Sequence, residues 1–289
     1  MSKLKDALNS GKFVVTAEVA PPKGVYVTEM LENAELLRSR VDALNVTDQQ
    51  SSVMRLGSLA SCHLLIDRGI ETIFQMTTRD RNRIALQSDL LSAYVMGVEN
   101  VLCLTGDYVT LGDHPHAKAV FDLDSVGLLR AARSLEQGRD MSDKELKGVP
   151  KFFLGAVVTP GANPLEPQLF KMEKKVLSGA QFFQTQAVYE PAKFESFMKY
   201  AEQFKVPVLV GIIPLKSVGM ARFMNKNVAG VHVPEDVIEE LGKAEDKYKK
   251  TLEITARLIN QMKPMCQGVH LMAIGWEKKV PEILDAAGL

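Results

Sequence analysis

An α/β fold of the (β/α)8 TIM-barrel type, a single domain over residues 1–289, is predicted by three features of the chain. Eight short β-rich apolar runs recur between turn residues, helix-length amphipathic stretches follow them, and no G-x-G-x-x-G or G-x-x-x-x-G-K-[ST] turn is present. The alternation marks a parallel sheet with crossover helices. Eight units in 289 residues suit a closed barrel, whereas a doubly wound open sheet has fewer strands and a glycine-rich first turn.

In order, the first strand is expected over Phe13 to Val19, followed by a helix at Thr28 to Arg40 whose apolar residues recur every three or four positions. Asp42 to Thr47 and Glu71 to Met76 are the second and third strands, and Arg83 to Met96 is a helix stopping at Gly97. Asn100 to Thr105 is the fourth. Its helix, Ser125 to Gln137, follows an acidic Asp122-Leu123-Asp124 step that suits a helix N-terminus. Lys151 to Val158 is the fifth strand, and the helix Pro167 to Ser178 ends at Gly179. Gln181 to Ala187, Pro207 to Ile213 and Gly268 to Ile274 complete the set. Two helices fit between the last two strands, the second being Ala244 to Met262, as an insertion and not a domain boundary.

The balance of 35 Lys and Arg against 35 Asp and Glu leaves no basic excess to neutralise a phosphate backbone, so nucleic acid is not an expected partner. Met1 to Lys12 carries no apolar core of signal-peptide length. The longest apolar run, Val206 to Leu215, is about half of what a membrane-spanning helix requires. A cytoplasmic location without membrane contact is expected. Cys62, Cys103 and Cys266 form neither a disulfide framework nor a zinc pattern and are read as small buried hydrophobes. Gly112 to Lys118 contains His114-Pro115-His116 but lacks further ligands, so it is expected to be a loop over the site mouth and no metal is assigned.

Barrel enzymes build their sites where the strands end. At the first end Glu18 sits in an apolar strand ahead of Pro21-Pro22; desolvation there favours the protonated carboxyl a general acid needs, and pairing with a basic neighbour is the alternative. Asn45 to Ser52 is either a plain polar loop or a set of donors and acceptors for a planar heterocycle. Arg81 could meet a phosphate or carry ordinary surface charge at a helix start. Asp107, after Gly106, faces Glu18 across the mouth if both strands end level, or caps a helix. The stretch Gln184 to Tyr189 puts amides on an apolar strand, where each must find partners. His270 reads as a satisfied core histidine.

Glu18 before Pro-Pro, Thr47, Leu104-Thr105-Gly106-Asp107, Gly179-Ala180 with Thr185-Gln186, Gly211-Ile212-Ile213-Pro214 and Gly268-Val269-His270 together resemble the methylenetetrahydrofolate reductase family, from Phe13 to the C-terminus. Thr78-Arg79-Asp80-Arg81-Asn82 and the Gly112-Asp113-His114-Pro115 loop look like its anaerobic, acetogen-type branch. The resemblance implies a barrel that binds a flavin at the strand ends and reduces 5,10-methylenetetrahydrofolate to 5-methyltetrahydrofolate. In that family the hydride reaches the one-carbon unit after the folate's five-membered ring opens to an iminium.

By the same resemblance Glu18 is the general acid of ring opening. Asp107 lies between flavin and folate, holds the pterin and stabilises the iminium charge. Gln186 meets the pterin edge. Thr47 and Gly106 are flavin contacts, and Thr159, Asn163, Gln168 and Lys175 stand at ribityl, phosphate and adenine positions, Lys175 being the phosphate partner. Thr105 replaces an Arg and Gln75 a His of enterobacterial relatives, and Thr159 and Asn163 replace Tyr and His, so the cofactor is FAD with FMN as the alternative. Val218 stands where a nicotinamide-stacking Phe is expected. Electrons from a partner are therefore expected, either a cysteine-rich zinc subunit or another electron-transfer subunit. The regulatory domain of eukaryotic relatives is expected to be absent. Two competing readings are a methyltetrahydrofolate-dependent methyltransferase barrel acting with a corrinoid partner, which needs no flavin, and a catalytically idle scaffold.

Overall fold

Eight strands pair in parallel in sequence order and close on themselves through the first and last, in a computed structural model that describes residues 2–289. They are β1 (Val14–Val19), β2 (Ala43–Val46), β3 (Thr72–Thr77), β4 (Asn100–Leu104), β5 (Phe153–Val158), β6 (Phe182–Ala187), β7 (Val208–Ile212) and β8 (Gly268–Leu271). The strands read as apolar runs because both faces are buried, one by the barrel interior and one by the helices.

Eleven α-helices are described: α1 (Lys3–Asn9), α2 (Thr28–Leu37), α3 (Ser58–Ile66), α4 (Arg83–Val95), α5 (Ser125–Glu136), α6 (Glu166–Leu177), α7 (Pro191–Ala201), α8 (Val218–Asn227), α9 (Glu235–Lys243), α10 (Lys247–Met262) and α11 (Val280–Ala287). Several begin on the expected chemistry. The Asn82 side chain accepts from the N–H groups of Ile84 and Ala85, and those of Asp124, Ser217 and Asp246 accept from the third residue on. Each such cap is worth about 1 kcal/mol.

Two expectations are corrected. Three helices, not two, separate β7 from β8, because α9 stops where Ala244 turns extended and α10 restarts under its own Asp246 cap. The expected Ala244 start is therefore three residues early. The eighth run also leaves the sheet at Leu271, not Ile274: Ile274 and Gly275 both adopt positive φ and turn the chain away.

The short helix α1 closes the lower end of the barrel. Leu4 and Leu8, one turn apart, pack under Val14, Ala43, Ile73, Leu102, Phe153, Phe182 and Leu209. Burying each of these leucines contributes roughly 1.5–3 kcal/mol. Phe153 and Phe182 stack with ring centres 4.8 Å apart. The Ser2 hydroxyl donates to Asn100 Oδ1, and Asn100 Nδ2 donates to Glu71 Oε1 at 2.9 Å, so the polar atoms at this seam are satisfied by one another. No helix among the described residues is long and apolar enough to cross a membrane.

Candidate active site

Above the apolar floor lies a buried polar layer. Asn45 and Gln184 exchange two hydrogen bonds across the barrel, Asn45 Nδ2 to Gln184 Oε1 at 2.8 Å and Gln184 Nε2 to Asn45 Oδ1 at 3.0 Å. Gln184 Nε2 also donates to Thr16 Oγ1 at 3.2 Å, and Thr16 Oγ1 lies 2.9 Å from His270 Nδ1. Such a network holds its members in one arrangement because an unpaired amide at this depth is costly. Gln184 is thus the strand amide that finds core partners.

Glu18 is two residues beyond Thr16 on β1, hence on the same interior face and one layer nearer the mouth. It is 8% exposed. Gln75 Nε2 of β3 donates to its Oε1 at 3.2 Å, Gln50 Nε2 donates to its Oε2 at 3.4 Å, and His270 Nε2 lies 3.6 Å from Oε1. The contacts described for its carboxyl include no lysine or arginine, so of the two sequence readings the basic partner, if counted at all, is the imidazole. His270 does satisfy itself in the core through Thr16, yet its other nitrogen faces Glu18. Sequence reasoning missed this second role, and it had Gln50 only as one polar residue of the Asn45 to Ser52 loop, without its contact to Glu18. The signal for His270 lay in closure, since Thr16 pairs with His270 in the β1–β8 register.

Thr47 follows β2 directly. It is buried, and its Oγ1 has no hydrogen-bond partner among the described residues. Gly106 has φ +91°, and a Cβ there would lie 3.1 Å from Thr77 Cβ and 3.2 Å from Arg79 Cβ. Only glycine therefore lets this backbone sit so close. A buried hydroxyl left without a partner is the kind of group a bound planar molecule satisfies, so Thr47 fits a flavin, while Gly106 packs on the protein's own Thr77 and Arg79.

The other expected residues are dispersed. Asp107 is exposed, and its carbonyl accepts from Arg79 at 3.4 Å. Thr105 accepts from Ser125 N at 3.1 Å and so serves the start of α5. Gln186 is half-buried at the end of β6. Thr159 packs under Gly230, Asn163 is exposed, and Gln168 lies half-buried in the first turns of α6. Lys175 turns its ammonium inward, donating to Val157 O at 2.6 Å; burial pushes it down to about 8, against the opposing pull of Asp124 and Cys103. A phosphate contact requires that side chain to turn outward.

Arg81 pairs with Asp48 and, at 3.2 Å, with Asp89, while Arg79 forks onto Asp80 at 2.9 and 2.7 Å. Asp48 in turn accepts from Thr77 N at 2.8 Å. Arg81 is thus spent on carboxylates. The Gly112 to Lys118 loop is tied down by Asp113, which accepts from Lys23, from Met54 N at 3.0 Å and from His114 at 2.8 Å. These donors hold the Asp113 carboxyl well below the usual carboxylate range. The loop therefore straps the β1, β2 and β4 ends together. It also bounds a cavity of about 490 Å³ lined by Asp48, Met54, Arg79, Arg81, Asp89 and His114. Neither Glu18 nor Thr47 lines that cavity, and the titratable groups inside it already neutralise one another. The three cysteines are buried, and burial pushes the thiols of Cys103 and Cys266 up to about 12 and about 11.

A family model for methylenetetrahydrofolate reductase matches residues 3–288. Methylenetetrahydrofolate reductase 2 of Schizosaccharomyces pombe (strain 972 / ATCC 24843) is 25% identical over 311 residues, covering 99% of this chain and 47% of its own. A probable methylenetetrahydrofolate reductase (NADPH) of Caenorhabditis elegans is 23% identical over 235 residues, covering 76% and 33%. The chain thus spans about half the length of the first of these relatives, and a third of the second. Among solved structures, a Clostridium thermocellum protein described as binding two copies of 5-methyl-5,6,7,8-tetrahydrofolic acid superposes with a TM-score of 0.69 at 16% identity, covering 98% of this chain and 97% of that one. Oxaloacetate acetylhydrolase with its product oxalate gives 0.56 at 12% identity, covering 100% and 88%. At those identities the likeness is one of fold. With nearly its whole length matched, the chain belongs to the methylenetetrahydrofolate reductase family.

Proposed function

We propose that this member of the family is a cytoplasmic enzyme that reduces 5,10-methylenetetrahydrofolate to 5-methyltetrahydrofolate, with Glu18 as the general acid. The observation that carries the reading is the Glu18 carboxyl itself, buried at a strand end among two amides and an imidazole at 3.2 to 3.6 Å. Keeping such a group on an apolar strand costs stability, which an idle scaffold has no reason to sustain. The folate bound by the Clostridium thermocellum neighbour supports a folate substrate.

FAD, or FMN, held by Thr47 and Gly106 with Gln75, Thr105, Asp107, Thr159, Asn163, Gln168 and Lys175 around it, would supply the hydride. The orphan hydroxyl of Thr47 is a buried polar atom that such a planar group would satisfy. This chain's own residues handle the proton and the charge. As the carbon–nitrogen bond of the five-membered ring breaks, the nitrogen takes the proton of Glu18, leaving a carboxylate on which the Gln50 and Gln75 amides already rest. Asp107 supplies negative charge opposite the cationic iminium, and Gln186 orients the pterin through its amide. Val218 opens α8 where an aromatic would stack a nicotinamide, which supports electron delivery by a partner, a cysteine-rich zinc subunit or another electron-transfer subunit.

Glu18→Gln tests the reading. It is expected to lower folate turnover by roughly 10²- to 10⁴-fold while flavin content stays at the wild-type level. Full turnover in that variant would overturn the assignment.

A further inference from the structure

We propose that Gln50 and Gln75 are positioning residues for the acid, one amide on each oxygen of the Glu18 carboxyl, and that the left-handed turn at residues 49–52 serves to deliver Gln50. The inference rests on the reading of Glu18 as the acid. Gln75 reaches Oε1 from the interior face of β3 at 3.2 Å, and Gln50 reaches Oε2 from the loop after β2 at 3.4 Å.

That loop carries unusual backbone. Gln49, Ser51 and Ser52 have φ of 51°, 55° and 60°, three non-glycine residues in the left-handed region within four positions. Each costs of order 1 kcal/mol, so the turn persists only where its surroundings over-determine it. They do. Arg55 N donates to Gln49 Oε1 at 2.8 Å and Gln49 Nε2 returns a bond to Arg55 O at 3.3 Å. The buried Arg79 donates to Gln49 O at 3.4 Å. Gly112 lies against Ser52 so closely that a Cβ would fall 1.8 Å from its carbonyl oxygen. Two loops and a buried guanidinium thus hold a strained turn whose one inward-reaching side chain contacts Glu18.

The geometry has a chemical use. A carboxyl that must aim a proton at one nitrogen gains from a fixed plane, and an amide on each oxygen fixes it while leaving a lone pair on each free. Both amides donate N–H, so each oxygen is held through one lone pair while the other stays open for the proton, and both bonds persist on the carboxylate once the proton has left. Both act through Glu18 and need not touch folate.

The test is a double-mutant cycle on the full chain with flavin bound, reading kcat and KM for methylenetetrahydrofolate separately. Gln50→Leu is expected to lower kcat roughly 10- to 100-fold, the range carried by a hydrogen bond to a charged group. KM should stay within about twofold, as for an interaction made at the reacting centre alone. Added to Glu18→Gln, the same substitution should produce no further loss. Gln75→Leu should behave alike. Gln50→Glu, of equal size on a half-exposed loop, covers the case in which leucine unsettles the turn, and it should also lower kcat because a carboxylate offers no N–H to hold Oε2 in place. Wild-type kcat in Gln50→Leu and Gln50→Glu, or a loss of equal size in the Glu18→Gln background, overturns the inference while leaving Glu18 in place. Full kcat in Glu18→Gln itself removes the acid, and the inference falls with it.

Discussion

At the lower end of the barrel Leu4 and Leu8 meet Phe153 and Phe182, and the polar atoms of Ser2, Asn100 and Glu71 pair among themselves. At the upper end a carboxyl rests on long amide contacts, a threonine hydroxyl has no partner among the described residues, and the backbone turns left-handed three times within four residues. One sheet joins the two, with the Thr16, Asn45, Gln184 and His270 layer between them. The difference teaches that the floor supplies free energy which the mouth spends on chemistry, and that substitutions at the two ends should separate stability from function.

The largest effect is expected on the floor. Phe182→Ala removes a ring stacked on Phe153 and packed against Gly155, and it should cost roughly 3–5 kcal/mol. Urea unfolding measures that loss, while kcat per folded molecule is expected to hold. A parallel fall in kcat would break the separation.

Lys175 probes the wall between the two ends. Its pKa is about 8 in the folded chain against 10.5 for an ordinary lysine, with burial the main cause. Below pH 8 the ammonium is charged in both states and the fold carries the full burial cost. Between about pH 8 and 10.5 the unfolded chain binds more protons, so stability rises with pH by a few kcal/mol, and above that window both states are neutral and the cost is gone. Lys175→Met should lack this rise. Loss of the Val157 contact shifts stability by an amount that does not titrate, so the difference between the two unfolding curves at pH 7.5 and pH 10 isolates the effect.

The smallest effect on stability belongs to the mouth. Asp107→Asn, at an exposed loop position, should leave the melting temperature unchanged. Folate affinity should fall by about tenfold and the flavin potential should shift. Unchanged affinity and potential would remove Asp107 from the site.

The barrel was legible because its strands are buried on both faces and announce themselves as apolar runs. The floor was not. Helix α1 has seven residues and only two buried leucines, too little period to read. The break between α9 and α10 was equally hidden, since it lies in the extended backbone of Ala244 and not in a proline or glycine. Within the candidate site, Glu18 was visible as a charge on an apolar strand, whereas Thr47 and Gly106 entered as flavin contacts through the family resemblance. His270 and Gln50 reach Glu18 only through barrel closure and a left-handed turn at non-glycine residues, neither of which leaves a local mark. Lys175 shows the converse, a basic residue whose buried contact with a carbonyl no pattern of sequence reveals.

The most direct test of the central claim is an anaerobic visible spectrum of the purified protein before and after methyltetrahydrofolate is added. The expected result is a yellow protein whose oxidised flavin bleaches, since the reaction run backwards returns the hydride to the cofactor. A yellow protein that keeps its colour would contradict the folate substrate. A protein still colourless after FAD and FMN have been supplied would contradict the flavin and shift the assignment to methyl transfer.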